Sequence, residues 1–388
     1  MNFRFPLASS SWDECEQEAL SRVIASGRFS MGEEVAAFER AFAQHVGSTY
    51  AVMVNSGSSA NLLMTAALSY TQNPNLKLER GDEIIVPAVS WSTTYFPLYQ
   101  YGLRMKFVDI DRQTLNYDLD ALAEAITDRT RAIMVVNILG NPNDFRTIEN
   151  IINGRDIVML EDNCEAMGAI FENRQAGTFG VMGTFSTFFS HHISTMEGGI
   201  VITDDEELHH ILLTLRAHGW TRNLPKQNRV TDTKGDDPFE ESFRFVLPGY
   251  NVRPLEMSGA LGREQLKKLP RLVRQRRENG QTFQKRMCDH PKFTIQKEIG
   301  QSSWYSFSLL LRETAGLERA DVLKDLATAG FECRPVVSGN FARSDVVKYF
   351  DHEIFDGLHN ADYIAKNGLY IGNHPYCLAE AIEVLHAV

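Results

Sequence analysis

The strongest constraint on the fold is a series of short, nearly unbroken apolar runs. YAVMV (50–54), DEIIVPA (82–88), KFVDID (106–111), AIMVVNIL (132–139) and IVMLED (157–162) are rich in Val and Ile. A strand wetted on one face alternates apolar and polar residues. A near-continuous apolar run instead fits a strand covered on both faces, as in a largely parallel sheet. Helical patterns separate several of these runs, so the sequence predicts an α/β domain with helices packed on the sheet. GGIVITDD (198–205) extends the series and is followed by a helix running through Gly219.

The remaining signals outline the rest of the chain. Ser11-x-x-Glu14 reads as a capping box opening a helix that stops at Gly27. Residues 220–247 are polar and irregular, and PLEMSGALGREQLKK predicts a helix near 254–268. Beyond it, WYSFSLLL (304–311) reads as a strand and RADVLKDLATAG (319–330) as a helix. The division expected is a large α/β domain over 1–250 and a smaller α+β domain over 251–388. No internal repeat is evident.

Composition removes several classes of function. A net charge of −11 over 388 residues argues against a nucleic-acid or anionic-membrane surface. No apolar run approaches the roughly 20 residues of a membrane span, and MNFRFPLASSSWDE lacks the apolar segment of a secretory leader. The five cysteines are scattered without a CxxC pair, which speaks against disulfides, structural zinc and an iron–sulfur cluster. A cytoplasmic protein without a metal is expected.

Four places carry candidate chemistry. Gly57, Ser58 and Ser59 lie between a strand and a helix, where free amides and the helix dipole favour a phosphate; the same turn also reads as a plain serine N-cap. Trp91 follows the run ending IIVPAVS, at the end of a strand facing the ligand crevice of an open sheet. It suits stacking on a planar ring, or burial in a core. Asp162 closes an apolar strand, with Glu165 three residues on. A carboxylate there can pair with a protonated ring nitrogen or cap a helix. Ser186 and Ser190, in GTFSTFFS, offer hydroxyls to a phosphate.

In combination and order, SGSSANLL, VPAVSWSTT, EDNCEAMGA, FSTFFSHHISTMEGG and GYNVRPLEMSGALGREQLKKLP resemble the sugar-nucleotide aminotransferase and dehydratase family over nearly the whole chain. That resemblance implies the aspartate-aminotransferase fold (fold type I) and pyridoxal phosphate as cofactor. It further implies that Gly57, Ser58 and Ser186 hold the phosphate, that Trp91 stacks on the pyridine ring, and that Asp162 pairs with its nitrogen. Glu165 is implied near the ring hydroxyl. Asn251 would reach the phosphate from a second subunit, so a homodimer is expected.

One departure sets the expected reaction. Aminotransferases of the family carry a lysine where this chain has His191, and no lysine occurs between Lys106 and Lys226. Imidazole cannot tether the cofactor aldehyde, yet it accepts and returns a proton near neutral pH. Within the family the replacement resembles the 3-dehydratases, which remove a sugar hydroxyl. The lack of clustered cysteines points to the cluster-free kind, acting on a GDP-linked 4-keto-6-deoxy sugar. Pyridoxal and pyridoxamine phosphate would then be held non-covalently, with glutamate as amino donor. His192 reads as structural. Arg216 and Arg222, in RAHGWTRNLPKQNR with Lys226 and Arg229, offer a diphosphate site or a solvated loop. A 4-aminotransferase using a distant lysine and a non-catalytic binding protein are the competing readings.

Overall fold

A computed structural model describes residues 3–388. Its large sheet has eight strands: β1 (Tyr50–Val54), β2 (Glu83–Pro87), β3 (Arg104–Val108), β4 (Thr130–Val136), β5 (Val158–Asp162), β6 (Met182–Ser186), β7 (Gly199–Thr203) and β11 (His352–Ile354). They lie in the order β1-β7-β6-β5-β4-β2-β3-β11. Only β7 runs antiparallel to its neighbours, β1 and β6; every other pair is parallel. A second sheet combines β8 (Phe293–Ile295), β9 (Ser306–Leu311), β10 (Cys333–Arg334) and β12 (Gly368–Gly372) in the order β8-β9-β12-β10. This is the fold-type-I architecture expected from the resemblance.

The apolar runs are strands because both faces of the large sheet are covered. Every residue of β2, β5, β6 and β7 is buried. Successive side chains point to opposite faces, so Ile84 and Val86 join one core with Leu63, Leu68 and Leu98. Ile85 joins a second with Val108, Ile133, Phe145 and Ile148. Among the helices, α1 (Glu14–Ser26), α2 (Glu33–Val46), α3 (Gly57–Tyr70), α4 (Ser92–Gln100), α5 (Glu206–Arg216) and α6 (Glu256–Met287) frame the site. Helix α6 packs Leu269, Leu272 and Val273 against Val35, Phe38 and Phe42 of α2. Gly259 permits that approach, because a Cβ there would lie 2.5 Å from Val35 N.

Several boundaries differ from the sequence reading. The capping box belongs to Asp13 and Glu16, not Ser11 and Glu14: Asp13 accepts from Cys15 N at 3.0 Å while Glu16 accepts from Asp13 N at 2.7 Å. The helix does end at Gly27, which has φ 67°. The strand expected over 106–111 begins at Arg104 and ends at Val108. The strand expected to Leu139 ends at Val136, since Leu139 turns out of line with φ 53°. Helix α5 stops at Arg216, short of Gly219. Helix α6 runs to Met287, about twice the expected length, and carries Pro270 inside it. The polar 220–247 segment holds a short helix at Pro238–Glu241. Strand β11 lies beyond residue 250 in sequence but pairs with β3 in the large sheet.

Candidate active site

The strand ends of the large sheet converge on one cavity of about 400 Å³. Chain reversal after β1 supplies Ser56, Gly57 and Ser58 to it, and the turn after β2 supplies Ser90 and Trp91. The ends of β4 and β5 add Val136, Asn137, Asp162, Cys164 and Glu165. Ser186, Phe188, Ser190 and His191 enter after β6. From the second sheet come Tyr305, just before β9, and Tyr370 of β12. The cavity thus lies outside the carboxyl ends of parallel strands, where open α/β sheets bind ligands.

At the turn into α3, Ser56 accepts from Ser59 N at 3.1 Å and caps the helix. Gly57 and Ser58 line the cavity from the first turn of this helix, where free amides and the helix dipole favour an anion. Glycine is required here by space: a Cβ on Gly57 would sit 2.8 Å from Ser186 Cβ and 3.0 Å from Cys164 Sγ. The cradle is therefore shaped by Gly57 and floored by Ser186, whose Oγ accepts from Phe188 N at 3.3 Å.

Asp162 is held from three directions. Its Oδ2 accepts from Asn61 Nδ2 at 2.7 Å and from Thr94 Oγ1 at 2.8 Å, and its Oδ1 accepts from Cys164 N at 3.1 Å. Asn61 is fixed in turn by Thr184 Oγ1, which donates to its Oδ1 at 2.6 Å. Glu165 accepts from Leu139 N at 2.9 Å, and burial pushes its carboxyl up to about 7. Trp91 is 58% exposed over the cavity, which excludes the core reading and leaves an indole face free to stack.

His191 stands apart from this bonded set. Its backbone N–H donates to Phe188 O at 2.9 Å, but its Nδ1 is buried without a hydrogen-bond partner. The ring meets Tyr305 edge-on, with centroids 5.2 Å apart at 88°. Desolvation, with a smaller push from the Arg276 guanidinium, brings the imidazole down to about 4. It is therefore uncharged and able to accept a proton at neutral pH. His192 is structural as expected: it is 1% exposed and its Nε2 lies 3.1 Å from Ser303 O.

Three expected site residues lie elsewhere. Arg216 is corrected: it is 4% exposed, and its guanidinium pairs with Glu39 and donates to Met53 O at 2.8 Å, so it has no free face for a diphosphate. Arg222 lies over the Trp220 ring at 4.2 Å, in a separate depression with Lys226 and Lys234. Asn251 is exposed outside the cavity and accepts from Arg253 Nε at 2.9 Å. Sequence reading missed Asn61, Thr94, Tyr305 and Tyr370. A buried asparagine four residues past Gly57 on α3 was a readable signal; Tyr305, 115 residues from Ser190, had none.

Residues 10–388 match the model of the DegT/DnrJ/EryC1/StrS aminotransferase family. The chain belongs to that family. Within the DegT/DnrJ/EryC1/StrS aminotransferases it is 60% identical over 385 residues to a GDP-4-keto-6-deoxy-D-mannose 3-dehydratase of Escherichia coli, covering 99% of each chain. Two solved structures of GDP-4-keto-6-deoxymannose-3-dehydratase superpose with a TM-score of 0.97 each, at 59% identity and 99% coverage of both chains. One holds a trapped PLP–glutamate geminal diamine and the other, a variant, holds GDP-perosamine.

Proposed function

We propose that this chain is a pyridoxal-phosphate-dependent 3-dehydratase of deoxysugar biosynthesis. It removes the C3 hydroxyl of GDP-4-keto-6-deoxy-D-mannose, consumes glutamate, and releases 2-oxoglutarate and ammonia. The observation that carries this reading is His191: an uncharged imidazole with a free buried nitrogen, standing where aminotransferases of the family have a tethering lysine.

The residues present fit the cofactor without a tether. Gly57 and Ser58 offer amides and Ser186 a hydroxyl to its phosphate, Trp91 a face to its ring, and Asp162 an oxygen to its ring nitrogen. When bound, the pyridoxamine form supplies an amine for the sugar ketone and a ring that accepts electrons as the C3 hydroxyl leaves. His191 then takes a proton from the carbon that loses it, and returns one to the departing oxygen. Asp162, fixed by Asn61, Thr94 and Cys164 N, keeps the ring oriented and its nitrogen protonated. Glu165, which lines the same cavity, would lie near the ring hydroxyl.

Asn251 fits a role toward the phosphate of a second copy, because it is exposed and faces no group of its own cavity. Exposed Trp91, Phe189 and Met196, at 58%, 52% and 43%, support a dimer that covers the cavity rim. Arg222 is the remaining candidate for the diphosphate. No helix among the described residues is long and apolar enough to cross a membrane, and the five cysteines are free; both support a cytoplasmic setting.

The test is a sugar-dependent assay of 2-oxoglutarate and ammonia. With pyridoxal phosphate and glutamate present, addition of GDP-4-keto-6-deoxy-D-mannose is expected to drive release of both, in equal amounts and over many turnovers. Release of 2-oxoglutarate without ammonia would instead mark transamination.

A further inference from the structure

We propose that Arg276 is a positioning residue for proton transfer: a buried guanidinium without a carboxylate partner that seats the Ser303–Tyr305 segment against His191 and His192. This rests on the reading of His191 as the proton carrier.

Arg276 projects from α6 and is only 4% exposed. Among the described residues no carboxylate pairs with it, an arrangement that is costly unless its donors are used. One of them is used on main chain, Nη1 donating to Tyr305 O at 3.0 Å and also to Asn373 O, while Nε is buried without a partner. Asn373 closes the set, its Nδ2 donating to Arg276 O at 3.1 Å and to Trp304 O at 2.7 Å. Between these anchors Trp304 holds φ 49°, an unusual conformation for a bulky residue that needs such a clamp. The clamped segment touches both histidines. Ser303 O meets His192 Nε2 at 3.1 Å, and the Tyr305 ring stands 5.2 Å from the His191 ring.

Charge acts in the same place. Burial lowers the Arg276 guanidinium only to about 10, so it stays charged at neutral pH and opposes a second positive charge beside it. Burial comes first and Arg276 second in holding His192 down; for His191 burial comes first, the Ser186 main chain pulls the other way, and Arg276 adds a smaller push down. Opposing groups also face the cavity: Asp162 at the end of β5, Glu165 after it, and Glu197 before β7. Glu165, pushed to about 7, carries only part of its charge at neutral pH. Tyr305 stays neutral, burial pushing its phenol to about 12, and Tyr370 is likewise raised. His374, beside Asn373, is brought down to about 4. Burial thus dominates the His191 equilibrium, and the segment that Arg276 seats is part of what buries it.

The experiment follows the His191 Cε1 resonance through a pH titration of full-length protein labelled with 13C-histidine, without and with pyridoxamine phosphate. The resonance is assigned by its loss in His191→Gln. Arg276→Met, which frees the Ser303–Tyr305 segment from its clamp, is expected to move the midpoint up from the parental value, and Arg276→Lys to leave it low. An unmoved midpoint in folded Arg276→Met overturns the proposal, as does a midpoint in Arg276→Lys as high as in the methionine variant. Should the methionine variant not fold, the lysine variant and the parent decide: a parental midpoint at about 6.5 or above also overturns it. A midpoint that moves while the acidic limb of kcat/KM stays put would instead remove His191 as the base.

Discussion

On the sheet side of the cavity the polar side chains are already bonded to protein. Asp162 has three donors, Asn61 is held by Thr184, and the α3 turn is capped by Ser56. Across the cavity, His191 Nδ1 is buried with no partner, and aromatic edges surround the His191 ring. A saturated network fixes geometry, since each group has one low-energy position. An unpartnered buried nitrogen is free to exchange a proton and is costly unless a ligand meets it. The contrast supports the proposed division, in which one wall would hold a flat anionic cofactor and the other would exchange protons with what is held.

Substitutions on the two walls should therefore separate binding from turnover. His191→Gln is expected to lower single-turnover dehydration by about 10³-fold, within the range for loss of a general base or acid, while cofactor affinity changes by less than about threefold. A parallel loss of both in a spectrophotometric titration would erase the distinction between the walls. Asp162→Asn is expected to weaken cofactor binding about 100-fold, near 2.7 kcal/mol, as when one partner of a buried charged pair is removed. Unchanged affinity in equilibrium dialysis would discard its pairing with the ring nitrogen.

A smaller effect is expected one shell out. Asn61→Ala removes one of three donors to Asp162, which costs about 1.5 kcal/mol or roughly tenfold in cofactor affinity. Loss of turnover with intact affinity would instead place Asn61 on the chemical side. The smallest effect concerns pH. The folded value of His191 lies below the unfolded one, so the neutral base persists as pH falls from 6.5 toward about 4. Between about pH 7.5 and 5.5, kcat/KM should change less than about twofold, where a histidine of ordinary value would lose about tenfold. A tenfold loss that persists in Glu165→Gln, which removes the other group titrating near 7, would show that the imidazole is not desolvated in the working enzyme.

The same contrast explains how much was legible in the sequence. Strand runs were readable because burial on both faces erases alternation, and the run at 50–54 coincides with β1. That Gly57, Asp162 and Ser186 share one cavity was readable for a related reason: they sit at strand ends, where local sequence marks the turn. The capping box was misplaced because two overlapping frames, Ser11/Glu14 and Asp13/Glu16, satisfy the pattern, and only the latter forms the bonds. Helix α6 was cut short because a charged stretch with Pro270 reads as a stop; packing of Leu269, Leu272 and Val273 carries it through. Arg216 looked like a free cation because sequence does not show Glu39 beside it. Tyr305 and Arg276 were invisible because the second sheet and α6 bring them to His191 from far along the chain.

The measurement that bears most directly on the central claim is a mass spectrum of the sugar nucleotide after incubation with GDP-4-keto-6-deoxy-D-mannose, pyridoxal phosphate and glutamate. The expected product lacks one oxygen relative to the substrate, forms with the parent chain, and is absent with His191→Gln. A product with the mass of the 4-amino sugar would contradict the account, and would require an amine that the cavity described here does not contain.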